Sequence, residues 1–430
     1  MDLSNWRLDG GVRFKFKPGT VIPARSAIFV SPDVKAFRSR TVSPKGGEQR
    51  LVVGPYDGNL SAWGESLVLL DPAGRLVNRN NYVGSPSLAQ QFLRITEIFY
   101  HPDPLPGNTN LDAQLFEFLE LRNIGPAPLD LRGVRFTEAV QFDFAAGAIT
   151  NLAAGARVLL VRYINAFVLR YGSGLPVAGQ FTGKLDNGGS RLRLEDRYGE
   201  KILDFSYDHR WYPITDGHGY SLVIVDDTIL WSRWGEKASW RPNGALGGKP
   251  GQSDPLLPDF PAVVINEILA HTDLPQVDAI ELYNPAATNV NVGNWYLTDN
   301  FNVPKKFRIP YPTLIPSQGY IYFTEAQFNS MPGVFPSFAL NSEGDDVWLF
   351  SSDAAATLTG YVQGFDFGAT AKGVSLGRYT NSAGEIDYPA QVAVTLGRTN
   401  AGPLVGPIVL SEIMYHPAPT TPSNPPASYV

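Results

Sequence analysis

The chain has no cysteine. That excludes a disulfide framework, a thiolate metal site and a cysteine nucleophile, although it does not identify a compartment. It has no run of 18 apolar residues, so a membrane-spanning helix is not expected. It has no excess of positive charge: Lys and Arg number 35 against 41 Asp and Glu, for a net charge of −6. Without a basic stripe to neutralise phosphates, nucleic-acid binding lacks its main driving term, and attraction to anionic membranes is not implied. Several catalytic signatures are missing too. There is no His-Glu-x-x-His, no Gly-x-Ser-x-Gly elbow, no phosphate-binding loop, no Gly-x-Gly-x-x-Gly after a strand and no EF-hand spacing. Met1-Asp2-Leu3-Ser4-Asn5-Trp6 does not read as a secretion signal. If the protein is exported, the signal is expected outside these 430 residues.

What is present in abundance is glycine (42) and proline (35), with aromatics at 12% and apolar residues at 43%. The first pair implies many turns and short strands; the second implies substantial cores in two to four domains. A phrase also recurs. Leu93 to Pro102 read Leu-Arg-Ile-Thr-Glu-Ile-Phe-Tyr-His-Pro, Val263 to His271 read Val-Val-Ile-Asn-Glu-Ile-Leu-Ala-His, and Val409 to Pro417 read Val-Leu-Ser-Glu-Ile-Met-Tyr-His-Pro. Recurrence at domain-sized intervals is the mark of a tandem array.

The first two phrases are followed by matching elements in matching order. Phe118-Leu119-Glu120-Leu121-Arg122-Asn123 answers to Ala279-Ile280-Glu281-Leu282-Tyr283-Asn284, and Leu131 to Phe136 to Gly293-Asn294-Trp295-Tyr296-Leu297. The alternation of Leu119 and Leu121 with polar residues predicts a strand with one buried face. Proline or glycine turns then introduce apolar strands ending at Val30, Val161 and Phe323. Each leads into a short helical signal, with Ser31 expected as the first helix cap. Ser4-Asn5-Trp6-Arg7-Leu8 matches the third element rather than the first. The chain therefore reads as a piece of something longer that enters one module part-way and leaves another soon after it begins. Residues 247–255 and 400–407 are rich in Pro and Gly and read as short tethers.

Six to eight short strands per module argue for an all-β fold of tandem antiparallel β-sandwiches with short helical turns. The expected modules are 1–84, lacking its first strands; 92–256 and 261–405, both complete; and 406–430, the start of another.

The ordered series Ile-x-Glu-Ile-x-x-x-Pro, Glu-Leu-x-Asn, Gly-x-x-Leu/Phe and the proline-led apolar strand resembles the lamin tail domain. The late elements Trp211-Tyr212-Pro213, Asp216-Gly217-His218-Gly219-Tyr220-Ser221-Leu222 and Gly373-Val374-Ser375-Leu376-Gly377-Arg378 fit as well. The resemblance covers nearly the whole chain and implies tandem immunoglobulin-like β-sandwiches of the kind found in bacterial secreted or surface proteins. The chromatin and envelope partners of nuclear lamins do not carry over, because the charge balance gives them no support and function does not follow fold.

Four groups of residues merit a chemical reading. Glu97 with Glu120, and Glu267 with Glu281, are placed on adjacent strands, where paired carboxylates admit Ca²⁺ or acid–base work. Strict alternation would put Glu97 on the face of Leu93 and Ile95, so a bulge or a buried, hydrogen-bonded carboxylate is expected. His101, His271 and His416 each follow the repeated glutamate by four residues, about 13 Å along a strand and too far to share one ion easily. Trp211, Asp216 and His218, with Asp208 and His209, form the densest polar group. Trp231, Trp234 and Trp240 offer sugar-stacking surfaces or, more simply, cover a sandwich edge.

The resulting expectation is a non-catalytic structural or interaction array, spacer, adhesion surface or scaffold, in a larger exported or surface protein. Its partners would be other domains of that protein, a surface protein or a polysaccharide. No cofactor is required, with Ca²⁺ the one ion the acid pairs would admit. The alternative is a set of carbohydrate-binding modules serving an enzyme elsewhere.

Overall fold

The computed structural model describes residues 1–47, 49–105, 107, 110–197, 199–406 and 413. The third copy of the recurring phrase, with Glu412 and His416, lies outside the described residues, as does nearly all of the expected 406–430 module. The chain divides into two compact units, Met1–Leu256 and Leu257–Val430. Both are all-β, built of immunoglobulin-like sheets with only short helices.

In the first unit, one sheet runs in the order Val177–Gln180, Arg157–Val161, Phe118–Asn123, Leu93–Phe99, Leu222–Ile224, Trp240–Pro242. A second runs Thr182–Gly183, Val140–Asp143, Arg135–Thr137, Arg191–Glu195, Lys201–Ser206. Between them lies a core that includes Ile95, Ile98, Leu119, Leu121, Phe136, Leu194, Phe205, Trp234 and Trp240. The tryptophans Trp234 and Trp240 are wholly buried against Phe205 and so belong to this core rather than to an exposed edge. Residues before Leu88 add a five-stranded sheet ordered Asp57–Gly58, Val12–Lys15, Arg7–Gly10, Gly64–Leu70, Leu76–Val83, together with the pair Ile28–Val30 and Leu51–Val53.

The second unit has a sheet ordered Tyr320–Thr324, Ala279–Tyr283, Val264–Leu269, Leu376–Gly377. It faces another ordered Phe307–Arg308, Tyr296–Thr298, Gly344–Ser352, Leu358–Gly368. Its core includes Ile265, Ile268, Ile280, Leu282, Leu297, Val347 and Leu349.

The structure modifies three expectations. The sandwiches are antiparallel except at one edge: Arg157–Val161 pairs parallel with Val177–Gln180, and Ile28–Val30 with Leu51–Val53. Parallel neighbours need a crossover, and helices Ile164–Tyr171 and Val34–Arg38 lie in those crossovers. The cap of the latter helix is Asp33, whose carboxylate accepts from Ala36 N at 2.9 Å, while Ser31 Oγ bonds backbone groups of Asp33 instead. Finally, Phe118–Asn123 is buried on both faces, not one. Its outward Phe118 joins Phe99, Leu159, Val161 and Phe167 in a second cluster to which the Ile164–Tyr171 helix contributes.

Candidate functional site

In Leu93–Phe99 the inward residues are Leu93 and Ile95, then Ile98, with Tyr100 beyond. The phase changes because the register slips between Ile95 and Glu97. Val264–Leu269 does the same between Ile265 and Glu267, keeping Ile265 and Ile268 inward. A bulge is what lets an acid occupy a strand whose apolar residues all serve the core. It turns Glu97 and Glu267 away from the core and opposite Glu120 and Glu281, their cross-strand neighbours. All four glutamates are fully buried.

The segment that closes each sandwich supplies part of the donor set of each pair. Glu97 Oε1 accepts from Ser221 Oγ at 2.5 Å, Asn243 Nδ2 at 3.0 Å and Lys249 N at 3.1 Å. Glu120 accepts from Thr96 Oγ1 at 2.6 Å, Arg157 Nε at 2.8 Å and Gly251 N at 2.6 Å. In the second unit Glu267 accepts from Ser375 Oγ at 2.5 Å and from Thr395 N and Oγ1 at 2.8 and 2.6 Å. Glu281 accepts from Asn266 Nδ2 at 2.8 Å and from Gly397 N. In each case the pair grips two amides of the returning chain, two residues apart: Lys249 and Gly251, Thr395 and Gly397. Residues 247–251, expected as part of a tether, are thus bound into the sandwich. Gly248, at φ 74°, passes so close that an added Cβ would lie 2.6 Å from Glu97 Oε1.

The motif asparagines have a similar duty. Buried Asn123 donates to the carbonyls of Ala127, Leu152 and Ala153 and accepts from Gly125 N. Asn284 does the same with Thr288, Ile315, Pro316 and Ala286.

A third acid joins the first pair. One oxygen each from Glu97, Glu120 and Asp254 lies within 4.8 Å of the others. Asn243 Nδ2 links Asp254 to Glu97, and Arg241 holds the carbonyls of Asp254 and Pro255. Burial, then the charge of Asp254, raises the Glu97 carboxyl to about 8. Burial likewise raises Glu120 to about 7, against the pull of its hydrogen bonds and of Arg157. Asp254 rises to about 6 through burial, moderated by Arg157 and Arg241. Glu97 Oε2 has no hydrogen-bond partner, so it is the atom on which a proton would sit. A hard cation would need the same lone pairs, but Glu120 already accepts on both oxygens, and two guanidiniums stand beside the group. An open cavity of about 230 Å³ reaches Asp254, Arg157 and Arg241.

The remaining sequence candidates separate. Neither His101 nor His271 is bonded to its glutamate. His101 Nδ1 lies 2.5 Å from Asp216 Oδ1, His209 Nδ1 lies 2.9 Å from Asp216 Oδ2, and His271 Nδ1 lies 2.8 Å from the Thr370 carbonyl. Burial opposes ionisation of Asp216, yet the two histidine hydrogen bonds hold its carboxyl below the usual value. Asp208 caps a turn and pairs with Arg210, His218 is buried, and Trp211 packs half-buried against the core. Sequence reasoning found the glutamates but missed their partners Ser221, Ser375, Asn243 and Thr395. The shared Ser-Leu at 221–222 and 375–376 was the available signal for the two serines.

Residues 258–363 match the family model described as the Lamin Tail Domain. No curated protein and no solved structure matches the chain. The lamin-tail match takes in Glu267, Glu281 and Asn284 but ends before Ser375, Thr395 and Gly397. It therefore covers the acceptor half of the second clasp and stops short of most of its donors. The match agrees with the immunoglobulin-like sandwich seen here and with a general structural or interaction role.

Proposed function

We propose that this chain is an array of lamin-tail-like sandwich modules, covering 1–84, 92–256, 261–405 and the start of another at 406–430. Its role is non-catalytic, as spacer, adhesion surface or scaffold in a larger exported or surface protein. Its partners are other domains of that protein, a surface protein or a polysaccharide. The observation that carries this reading is the fate of the acid pairs. Both are buried between strands, and apart from Glu97 Oε2 their oxygens accept hydrogen bonds from neighbouring strands and from the closing segment. A general base needs access to a substrate proton; these carboxylates serve the fold. Among the described residues no helix is long and apolar enough to cross a membrane, which is consistent with modules that lie wholly to one side of it.

Two measurements test the proposal. Antibodies raised against the chain are expected to label intact, unpermeabilised cells or the culture medium; labelling confined to lysed cells would refute export. A broad hydrolase screen is expected to be negative. A turnover abolished by Glu97→Gln would make the first acid group an active site and overturn the non-catalytic reading.

A further inference from the structure

The first unit holds an open cleft of about 480 Å³ that neither the clasp nor the core uses. Its size falls in the range of ligand sites, about 300–1,000 Å³. Two tryptophans line it. Trp63 directly precedes the strand Gly64–Leu70 and is 42% exposed. Trp231 opens the turn Trp231–Arg233 and is only partly buried, whereas Trp234 and Trp240 of the same segment are sealed in the core. The polar lining includes Asn59, Gln90, Arg193, Glu200 and Lys201.

We propose that this cleft binds a neutral oligosaccharide, with the rings of Trp63 and Trp231 as stacking surfaces. A pyranose has an apolar C–H face and a rim of hydroxyls, so it suits a wall that offers aromatic faces beside amides and carboxylates. The charges of the cleft argue against an anion. Arg193 Nε is held by Glu195 at 2.5 Å, and Lys201 Nζ lies 3.7 Å from Asp204 and 5.7 Å from the centre of the Trp231 ring. Both cations of the lining are thus engaged by acids, Glu195 and Asp204, which also pair with Arg135 and Arg191, and Glu200 adds a negative charge, so a phosphate or uronate would meet no unpaired cation. The wall is also fixed before any ligand arrives. Gln90 Oε1 accepts from Ser87 N at 2.8 Å and its Nε2 donates to the Lys201 carbonyl at 2.9 Å, which joins the helix Leu88–Phe92 to the strand Lys201–Ser206. Preorganisation of this kind lowers the cost of binding.

This inference deepens the reading above by giving its polysaccharide partner a site, and the two fail separately: a chain that binds no sugar can still be a scaffold for protein domains. The test is electrophoresis of the full chain through gels containing neutral polysaccharides (glucans, xylan, mannan, galactan) or acidic ones (alginate, pectate), followed by calorimetry with the matching oligosaccharide. Retardation by at least one neutral polymer is expected. Trp63→Ala, a substitution at an exposed position, should weaken the Kd by about tenfold or more, and Trp231→Leu comparably. Trp211→Phe, outside the cleft, should leave it unchanged. Near-ultraviolet circular dichroism on each variant separates lost binding from lost folding. Three results would overturn the proposal: no retardation by any neutral polymer, retardation by the acidic polymers alone, or full affinity in a folded Trp63→Ala chain.

Discussion

The two acid pairs perform the same mechanical task with different chemistry. In the second unit the donors to Glu267 and Glu281 are neutral: Ser375, Thr395, Asn266 and backbone amides. Asn266 also donates to Asn400 Oδ1 at 2.7 Å, so an amide network extends the clasp. In the first unit the space beyond the pair holds an acid, Asp254, and two guanidiniums, Arg157 and Arg241. The recurring element is therefore a geometry: a bulge, two facing glutamates and two amides of the closing strand. The charges around it are free to differ. A charged version holds more tightly where it is paired and is more sensitive to protonation.

The largest expected effect separates the pairs directly. Glu120→Ala leaves the Arg157 guanidinium, the Thr96 hydroxyl and the Gly251 amide without their acceptor, and breaking a buried ion pair in this way costs about 3–5 kcal/mol. Glu281→Ala strands only neutral donors, for about 1–3 kcal/mol. Denaturant-dependent hydrogen exchange, read on Leu93–Phe99 and Val264–Leu269 in the full chain, measures both losses. Equal losses would mean that Arg157 contributes nothing and that the comparison is empty.

The next effect is pH dependence. Glu97, Glu120 and Asp254 have folded pKa values raised to about 8, 7 and 6. A carboxyl raised above its unfolded value binds more protons when folded, so its stabilisation is full below the unfolded pKa and is lost as pH rises through the folded one. Protection of Leu93–Phe99 should therefore decline from about pH 5 to about pH 9. Glu281, raised to about 7 by burial and then by the charge of Glu267, has fewer acids around it, so Val264–Leu269 should decline less. A first unit that gains stability over this range would contradict a proton held on Glu97.

Glu97→Gln sharpens the same point. The amide is neutral at every pH, so the slope in the first unit should flatten and stability at the alkaline end should rise relative to wild type, with a modest loss near pH 5 from weaker acceptance of the Ser221 and Lys249 bonds.

Millimolar Ca²⁺ is expected to produce the smallest effect, with no shift in the first unit's midpoint, because Glu120 already accepts on both oxygens and the guanidiniums of Arg157 and Arg241 oppose a cation. A rise that Asp254→Asn abolishes would show a cation taking the proton's place.

Much of this was legible in the sequence. The repeated Glu-Ile and Glu-Leu-x-Asn phrases located the strand pairs, and the conflict between alternation and an acid at Glu97 pointed to a bulge. The closing segments were less legible. Residues 247–251 read as tether because Gly and Pro dominate them, and a glycine required for close approach to a carboxylate looks the same as one in a flexible loop. The link between Glu97 and Lys249 spans about the whole domain, and no local periodicity records a contact of that separation. His101 illustrates the same limit: its partner Asp216 was in view, but in a different cluster.

The sequence by itself determined the all-β class and the position of the strands that carry Glu97, Glu120, Glu267 and Glu281, since these follow from local alternation and turn chemistry. Only the tertiary structure decided what the glutamates hold. A buried acid is compatible with catalysis, with metal binding or with a clasp until its donors are known, and several of those donors come from the far end of the module, Lys249 N reaching within 3.1 Å of Glu97 when the sandwich closes.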